Sequence, residues 1–208
     1  MPPPQAIAQA LLRAGAVHLR PDEPFTFASG LRSPIYCDNR LLIGDIAARR
    51  LVTAAFVDAC VGAEIVAGTA TAGIPWAAWA AEALALPMVY VRGAAKGHGR
   101  GRQIEGASVA GRKLVLLEDT ISTGESALAA AAALRAEGAE LLGCVCIFTW
   151  GWLATAEAFV SAAVPLTALT TLGVLLDVAA ADGALSVPQR ALVEDWVADP
   201  QGWGARLP

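Results

Sequence analysis

Charge is scarce in this 208-residue chain: Asp, Glu, Lys and Arg together make up 16%, and the formal net charge is −4. A weakly acidic balance argues against non-specific nucleic-acid binding. Cysteines 37, 60, 144 and 146 form no CxxC pair and have no histidine at ligand spacing. They read as core residues, and nothing demands an oxidising compartment. The amino terminus lacks a basic segment followed by an apolar one, so no signal peptide is expected. Of two uncharged runs, Leu141–Ala156 is too short to span a bilayer and holds Gly143 and Gly151, while Ala158–Leu176 is broken by Pro165 and several hydroxyl residues. The expectation is a cytoplasmic protein with neither a membrane span nor a nucleic-acid partner. Internal repeats, a GxGxxG fingerprint and a GK[ST] phosphate loop are also missing, which removes dinucleotide enzymes and P-loop nucleotidases from consideration.

What remains is a chain that is 56% hydrophobic, long enough for one domain with a real core, and too apolar for general disorder. Its charge is unevenly placed. Between Arg92 and Lys113 stand six cations and one acid, leaving nine cations and 18 acids elsewhere. An acidic body with one basic segment fits a small polyanionic ligand better than DNA.

The central stretch is VLLEDTISTGES, residues 115–126. A short apolar run, Leu114–Leu117, reads as a buried parallel strand, and Ala127–Arg135 as a helix of high propensity. Glu118 and Asp119 end the strand, and the pleat sends neighbouring side chains to opposite faces, so one of them should face a ligand squarely. The small hydroxyl-rich loop between strand and helix is a ready anion site, because free N–H groups and the helix dipole both aim at it. Acids and Ser/Thr after a strand also serve as ordinary helix caps.

Two further loops matter. GTATAGIP, residues 68–75, follows a strand at Glu64–Ala67 and precedes a helix at Ile74–Ala85; it offers backbone amides to a phosphate, or is a plain βα turn. RGAAKGHGRGRQIEG, residues 92–106, follows a strand at Met88–Arg92, and its glycines disfavour any helix or strand. It reads as a mobile basic flap carrying Lys96 and His98, or as a solvated loop. His18 lies at a helix exit and is given no role.

Elsewhere, Gln5–Ala14 and Gly44–Cys60 are helices, and Leu141–Thr149 is a strand. FTFASGLRSPIYCDNR, residues 25–40, is a strand, a turn and a second strand, while Ser186–Val197 is a helix opened by a Ser186/Gln189 capping box. Alternation of strands and helices predicts an α/β fold: a parallel sheet flanked by helices, with ligands outside the carboxyl ends of the strands. Residues 1–208 are one domain, in which about the first 43 form an amino-terminal helix and a small hood lobe.

Taken in order, FTFASGLRSPIYCDNR, GTATAGIP, the Arg92–Gly106 loop and VLLEDTISTGES resemble the type I phosphoribosyltransferases, and within them the orotate phosphoribosyltransferase family; FTWGWLATAEAF, residues 148–159, continues the likeness less sharply. The resemblance implies transfer of a phosphoribosyl group from phosphoribosyl pyrophosphate (PRPP) to orotate with Mg²⁺, and a homodimer whose flap closes over the neighbouring subunit. It implies PRPP binding by Arg92, Lys96, His98, Glu118, Asp119, Thr120, Ile121, Ser122, Thr123, Gly124, Glu125 and Ser126. Lys96, His98 and Asp119 would carry the catalysis, Ser122 and Tyr36 would meet orotate, and PRPP rather than a protein cage would hold most of the Mg²⁺. The pattern departs from other members at Ala28, where some have a substrate-binding lysine, at Thr71-Ala72, where some have Tyr-Lys, and at Gly93 and Ala94, which add no flap cation. Glu125 stands where an uncharged residue is usual, so its carboxylate is expected to point away from phosphate. Transfer to another base is disfavoured because the hood motif is where the base is read. A non-catalytic PRPP-sensing regulator would need neither Lys96 nor His98.

Overall fold

The computed structural model describes residues 1–27, 30–93 and 103–206. Helix α1 (Pro4–Arg13) opens on prolines, whose missing N–H costs nothing in a first turn, and buries Ile7, Ala8 and Leu11. Strand β1 (Val17–Leu19) follows, then the short strands β2 (Phe25–Thr26), β3 (Arg32–Ser33) and β4 (Ile35–Cys37). β2 pairs with β3, and β4 turns back to pair antiparallel with β1. The strand-turn-strand expected over residues 25–40 is therefore three short strands, one of which borrows a partner from upstream.

A 3-10 turn at Asn39–Ile43 leads into α2 (Ile46–Ala59), whose first turn is capped by Asp45 accepting from the Ala48 N–H at 2.9 Å. The body then alternates: β5 (Ile65–Thr69), α3 (Gly73–Leu84), β6 (Met88–Val91), β7 (Ile104–Gly106), β8 (Lys113–Ile121), α4 (Glu125–Ala136), β9 (Glu140–Thr149), α5 (Leu153–Ser161), β10 (Leu166–Thr171) and α6 (Leu172–Ala181). The six-stranded sheet has the order β10-β9-β8-β5-β6-β7, parallel except for the antiparallel edge strand β7. This is the helix-flanked parallel sheet expected from the alternation.

Two strands, β7 and β10, were not expected, and β8 is longer than its apolar run. Ile104–Gly106 is a strand in spite of the glycines around it, because an edge strand needs only the free backbone edge of β6; Gly106, at φ +118°, lies against the Met88 carbonyl where a side chain would collide. The uncharged run after Ala158 is the end of α5, the strand β10 and the start of α6, and no helix among the described residues is long and apolar enough to cross a membrane. Strand β8 continues beyond Leu117 to Ile121, and both acids lie on it as expected.

Side chains alternate along β8. Val115 and Leu117 join a core with α1, α2, α3 and α6, while Leu114 and Leu116 join the core under α4 and α5. The carboxy-terminal helices α7 (Val187–Ala198) and α8 (Pro200–Trp203) return to the hood. α7 starts with the capping box, Ser186 and Gln189 bonding reciprocally, and Trp196 Nε1 donates to the Arg32 carbonyl at 3.1 Å.

The strand order also locates the crevice. From β5 the chain winds outward through β6 and β7; from β8 it winds the other way through β9 and β10. The winding reverses between β5 and β8, and there the loops leaving adjacent strand ends diverge and open a cleft. Those loops are residues 70–72 and 122–124.

Candidate active site

At the end of β8 the Asp119 N–H donates to Glu118 Oε1 at 3.0 Å, and the Thr120 N–H donates to Asp119 Oδ1 at 2.6 Å. Glu118 is buried and Asp119 half-buried. Burial pushes the Glu118 carboxyl up to about 7, with the Asp119 charge adding to the rise and a hydrogen bond from Thr69 opposing it. Burial also raises Asp119, opposed by its hydrogen bonds with Glu118 and the Thr120 N–H and by the nearby Arg40 guanidinium. The two carboxyls thus interact directly. The pleat sends their Cβ atoms apart, but at the strand end the side chains turn toward each other, so they form one pair rather than two isolated acids.

The loop beyond is shaped by Gly124, at φ +84°, where a Cβ would lie 2.5 Å from the Phe159 ring. Only glycine permits both this left-handed turn and the close approach to α5. Gly124 is the residue before α4, and no side chain caps that helix. Its first N–H groups are left for an anion. Ser122, Thr123, Glu125 and Ser126 are exposed around this terminus, while Ile121 is buried below it. The loop is tied from beneath: Thr155 Oγ1 donates to the Ser122 carbonyl at 2.6 Å, and Thr149 Oγ1 to the Ile121 carbonyl at 3.1 Å.

Across the topological switch, the 70–72 loop leaves β5 with a cis Ala70–Thr71 peptide. Gly73 packs so tightly that a Cβ there would lie 2.5 Å from the Leu117 carbonyl. This contact holds α3 against the end of β8. Arg92 follows β6 beside the same loop, since the Ala70 N–H donates to the Val91 carbonyl at 2.8 Å. The Arg92 and Gln103 backbones bond at 2.9 Å, bringing the two ends of the 92–103 segment together. Lys96 and His98, and the flap reading itself, lie outside the described residues, as does Ala28.

Above the loop the hood forms a largely apolar cleft of about 770 Å³. Phe27, Tyr36, Thr123, Trp150, Trp152 and Trp196 are among its walls. Tyr36 packs against Phe25 and Phe27 with ring centroids 5.7 and 6.1 Å away. Of the two residues expected to meet orotate, Tyr36 lines this cleft; Ser122 is not in its lining, whereas the next residue, Thr123, is. Tryptophans 150, 152 and 196 and the roles of Thr149 and Thr155 went unread in the sequence.

Two more polar residues were also missed. Asn39, buried at 1% exposure, reaches down from the hood to β8, and Arg40 lies near Asp119 while its guanidinium grips Asp38 at 2.7 and 2.8 Å. Among the described residues no cluster of three or more His, Cys, Asp or Glu side chains is placed to hold a metal ion. A carboxylate pair beside a phosphate-type loop and an aromatic cleft is an arrangement for a phosphorylated sugar next to a flat ring.

Comparison with known proteins agrees. The phosphoribosyl transferase domain family matches residues 45–155. Orotate phosphoribosyltransferase of Bacillus subtilis is 49% identical over 205 residues, covering 95% of this chain and 93% of its own, and that of Bacillus caldolyticus is 46% identical over 203 residues, covering 96% and 98%. The chain belongs to the orotate phosphoribosyltransferase family. The solved structure of the family member from Aeropyrum pernix superposes with a TM-score of 0.67 at 28% identity, over 82% of this chain and 96% of that one. The orotate phosphoribosyltransferase fold thus accounts for the sheet order and for the placing of both loops at its switch point.

Proposed function

We propose that this chain transfers the 5-phosphoribosyl group of PRPP to orotate, giving orotidine 5′-monophosphate and pyrophosphate in pyrimidine biosynthesis. The observation that carries the reading is the junction of three parts: the Glu118–Asp119 pair, the uncapped amino terminus of α4, and the hood cleft that shares Thr123 with the loop between them.

The chemistry assigns the parts. Breaking the bond between ribose C1 and pyrophosphate leaves positive charge on the sugar and negative charge on the leaving group. Residues Thr120–Ser126 and the first N–H groups of α4 bind the 5′-phosphate. Asp119, with Glu118 behind it, addresses the ribose and favours the developing cation. Arg92, Lys96 and the amides of the 70–72 loop meet the pyrophosphate. His98 supplies a proton to a pyrophosphate oxygen near neutral pH. Tyr36 and Ser122 receive the pyrimidine. The role of Glu125 is to stay clear of the phosphate, which fits its exposed position in the first turn of α4.

Mg²⁺ completes the set. The half-buried Asp119 carboxylate offers hard oxygens of the kind this ion accepts, and the diphosphate of PRPP supplies the majority of the ligands. When bound, the ion neutralises charge on the leaving pyrophosphate. We also read residues 1–208 as one domain whose hood, within about the first 43 residues, contributes to the base site. The chain works as a homodimer with shared active sites, and a cytoplasmic location fits its four free cysteines.

The test is an incubation with PRPP and Mg²⁺, following loss of orotate absorbance, with uracil and adenine in parallel. Turnover of orotate alone is expected. Preference for another base would reassign the hood, and PRPP binding without turnover of any base would make the protein a regulator.

A further inference from the structure

Asn39 takes no part in the chemistry above, yet it is 1% exposed and its amide nitrogen bonds to two residues of the site. It stands in the 3-10 turn after β4, and the residues it holds lie 80 and 81 positions further along the chain. Its Nδ2 donates to the Asp119 carbonyl at 3.1 Å and to Thr120 Oγ1 at 2.8 Å. Its Oδ1 accepts from the Cys37 thiol at 3.3 Å. An amide nitrogen can only donate, so Thr120 Oγ1 is the acceptor of this bond and its own proton is left for another partner.

The Asp119 carbonyl, which can only accept, fixes which way the amide faces, and the Cys37 thiol donates to the oxygen left on the other side. Burial, and then the charges of Asp119 and Asp38, push the thiol up to about 12, so it stays protonated and remains a donor. Reversing the amide would turn Oδ1 toward the Asp119 carbonyl, two acceptors that repel, while Thr120 and Cys37 could each bond either way. The hood therefore holds the end of β8 through one oriented side chain, at the residue whose carboxyl faces the ribose and at the first residue of the phosphate loop.

We infer that Asn39 is a positioning residue for the use of PRPP, acting through the Asp119 carbonyl and the Thr120 hydroxyl, with the Cys37 thiol holding its amide oxygen. The inference rests on the assignment of Glu118–Ser126 to PRPP. Loss of Asn39 should be felt in PRPP, which the strand end meets, rather than in orotate, which the aromatic cleft meets. Thr120 matters through its oxygen and not its methyl group.

The experiment is steady-state kinetics with each substrate varied, on the wild type, Asn39→Ala, Thr120→Val, Thr120→Ser, Cys37→Ala, Cys37→Ser and the double variant Asn39→Ala/Thr120→Val, each with a thermal melt. Asn39→Ala should raise KM for PRPP about tenfold and leave KM for orotate within about twofold, as the loss of oriented hydrogen bonds implies. Thr120→Ser and Cys37→Ser should keep near wild-type values while Thr120→Val and Cys37→Ala do not, and the double variant should fall short of the product of the two single effects, because both lesions remove the Asn39–Thr120 bond. If Asn39→Ala fails to fold, the Ala/Ser contrast at position 37, which acts only through the Asn39 amide, carries the test. Equal rises in both KM values that track a fall in Tm, multiplying effects in the double variant, or failure of serine to rescue at position 120 would overturn the inference. A wild-type chain with no turnover removes the functional reading and this inference with it; an active wild type with those results removes the inference alone.

Discussion

Glu118 Oε1 accepts the N–H of Asp119, its own neighbour, at 3.0 Å, and the buried Glu118 carboxyl titrates near 7. The folded state thus holds the proton more tightly than the unfolded chain, where the ordinary value is 4.5. Below pH 4.5 both states carry it and the group has no effect. As pH rises from 4.5 to 7 the unfolded chain sheds the proton first, so folding stability falls until both states are ionised. Glu118→Gln cannot ionise and keeps an acceptor for the Asp119 N–H. Without ligands it should melt above the wild type at pH 8 and close to it at pH 4.5. A difference in Tm that is the same at both pH values would refute the burial argument.

The two acids also differ in what they can reach. Asp119 is half-buried, with Oδ1 on the N–H of Thr120, while Glu118 is 6% exposed. Asp119→Asn should therefore reduce kcat more than Glu118→Gln, by at least about tenfold, since a charge facing a developing cation acts only in the transition state. Steady-state kinetics at saturating PRPP and orotate decide this. Equal losses, or the larger loss at Glu118, would reverse the ordering.

Much of this centre was legible because it is local. Strand, acids, hydroxyl-rich loop and helix succeed one another within residues 114–136, so periodicity and spacing suffice to read them. What escaped was set by distant contacts. Nothing around Asn39 in SPIYCDNR shows that it will be buried against Asp119 and Thr120, and nothing around Trp196 shows that it will reach Arg32. Strand β7 escaped because its pairing depends on the backbone edge of β6 and not on a pattern of side chains, and β10 because its apolar run merges with those of α5 and α6. The pairing of Glu118 with Asp119 reflects rotamers at a strand end, below what alternation can resolve.

Ser122→Ala tests the base side of the loop. The Ser122 carbonyl is held by Thr155, so the backbone should keep its place when the hydroxyl is removed. A lost hydrogen bond to a charged or polar substrate is worth about 1–3 kcal/mol, so orotate use should fall more than PRPP binding. If KM for orotate and turnover both stay unchanged, Ser122 does not touch the base, and Thr123, which lines the cleft, becomes the candidate.

The last expectation concerns the second copy of the chain. If the segment carrying Lys96 and His98 serves the neighbouring subunit, each active site draws these two residues from one chain and Asp119 from the other. Lys96→Ala and Asp119→Asn homodimers should then both be nearly inactive. Mixing them under conditions that exchange subunits gives heterodimers in which one site collects both lesions and the other has none. With random exchange about half the dimers are mixed, and each has one intact site of two, so roughly a quarter of wild-type activity should return, as two-fold symmetry requires. Heterodimer formation is verified by native mass spectrometry, and activity is followed by orotate absorbance. Verified heterodimers without recovered activity would mean that Lys96 and His98 act within their own subunit, because every site in the mixture would then hold one lesion.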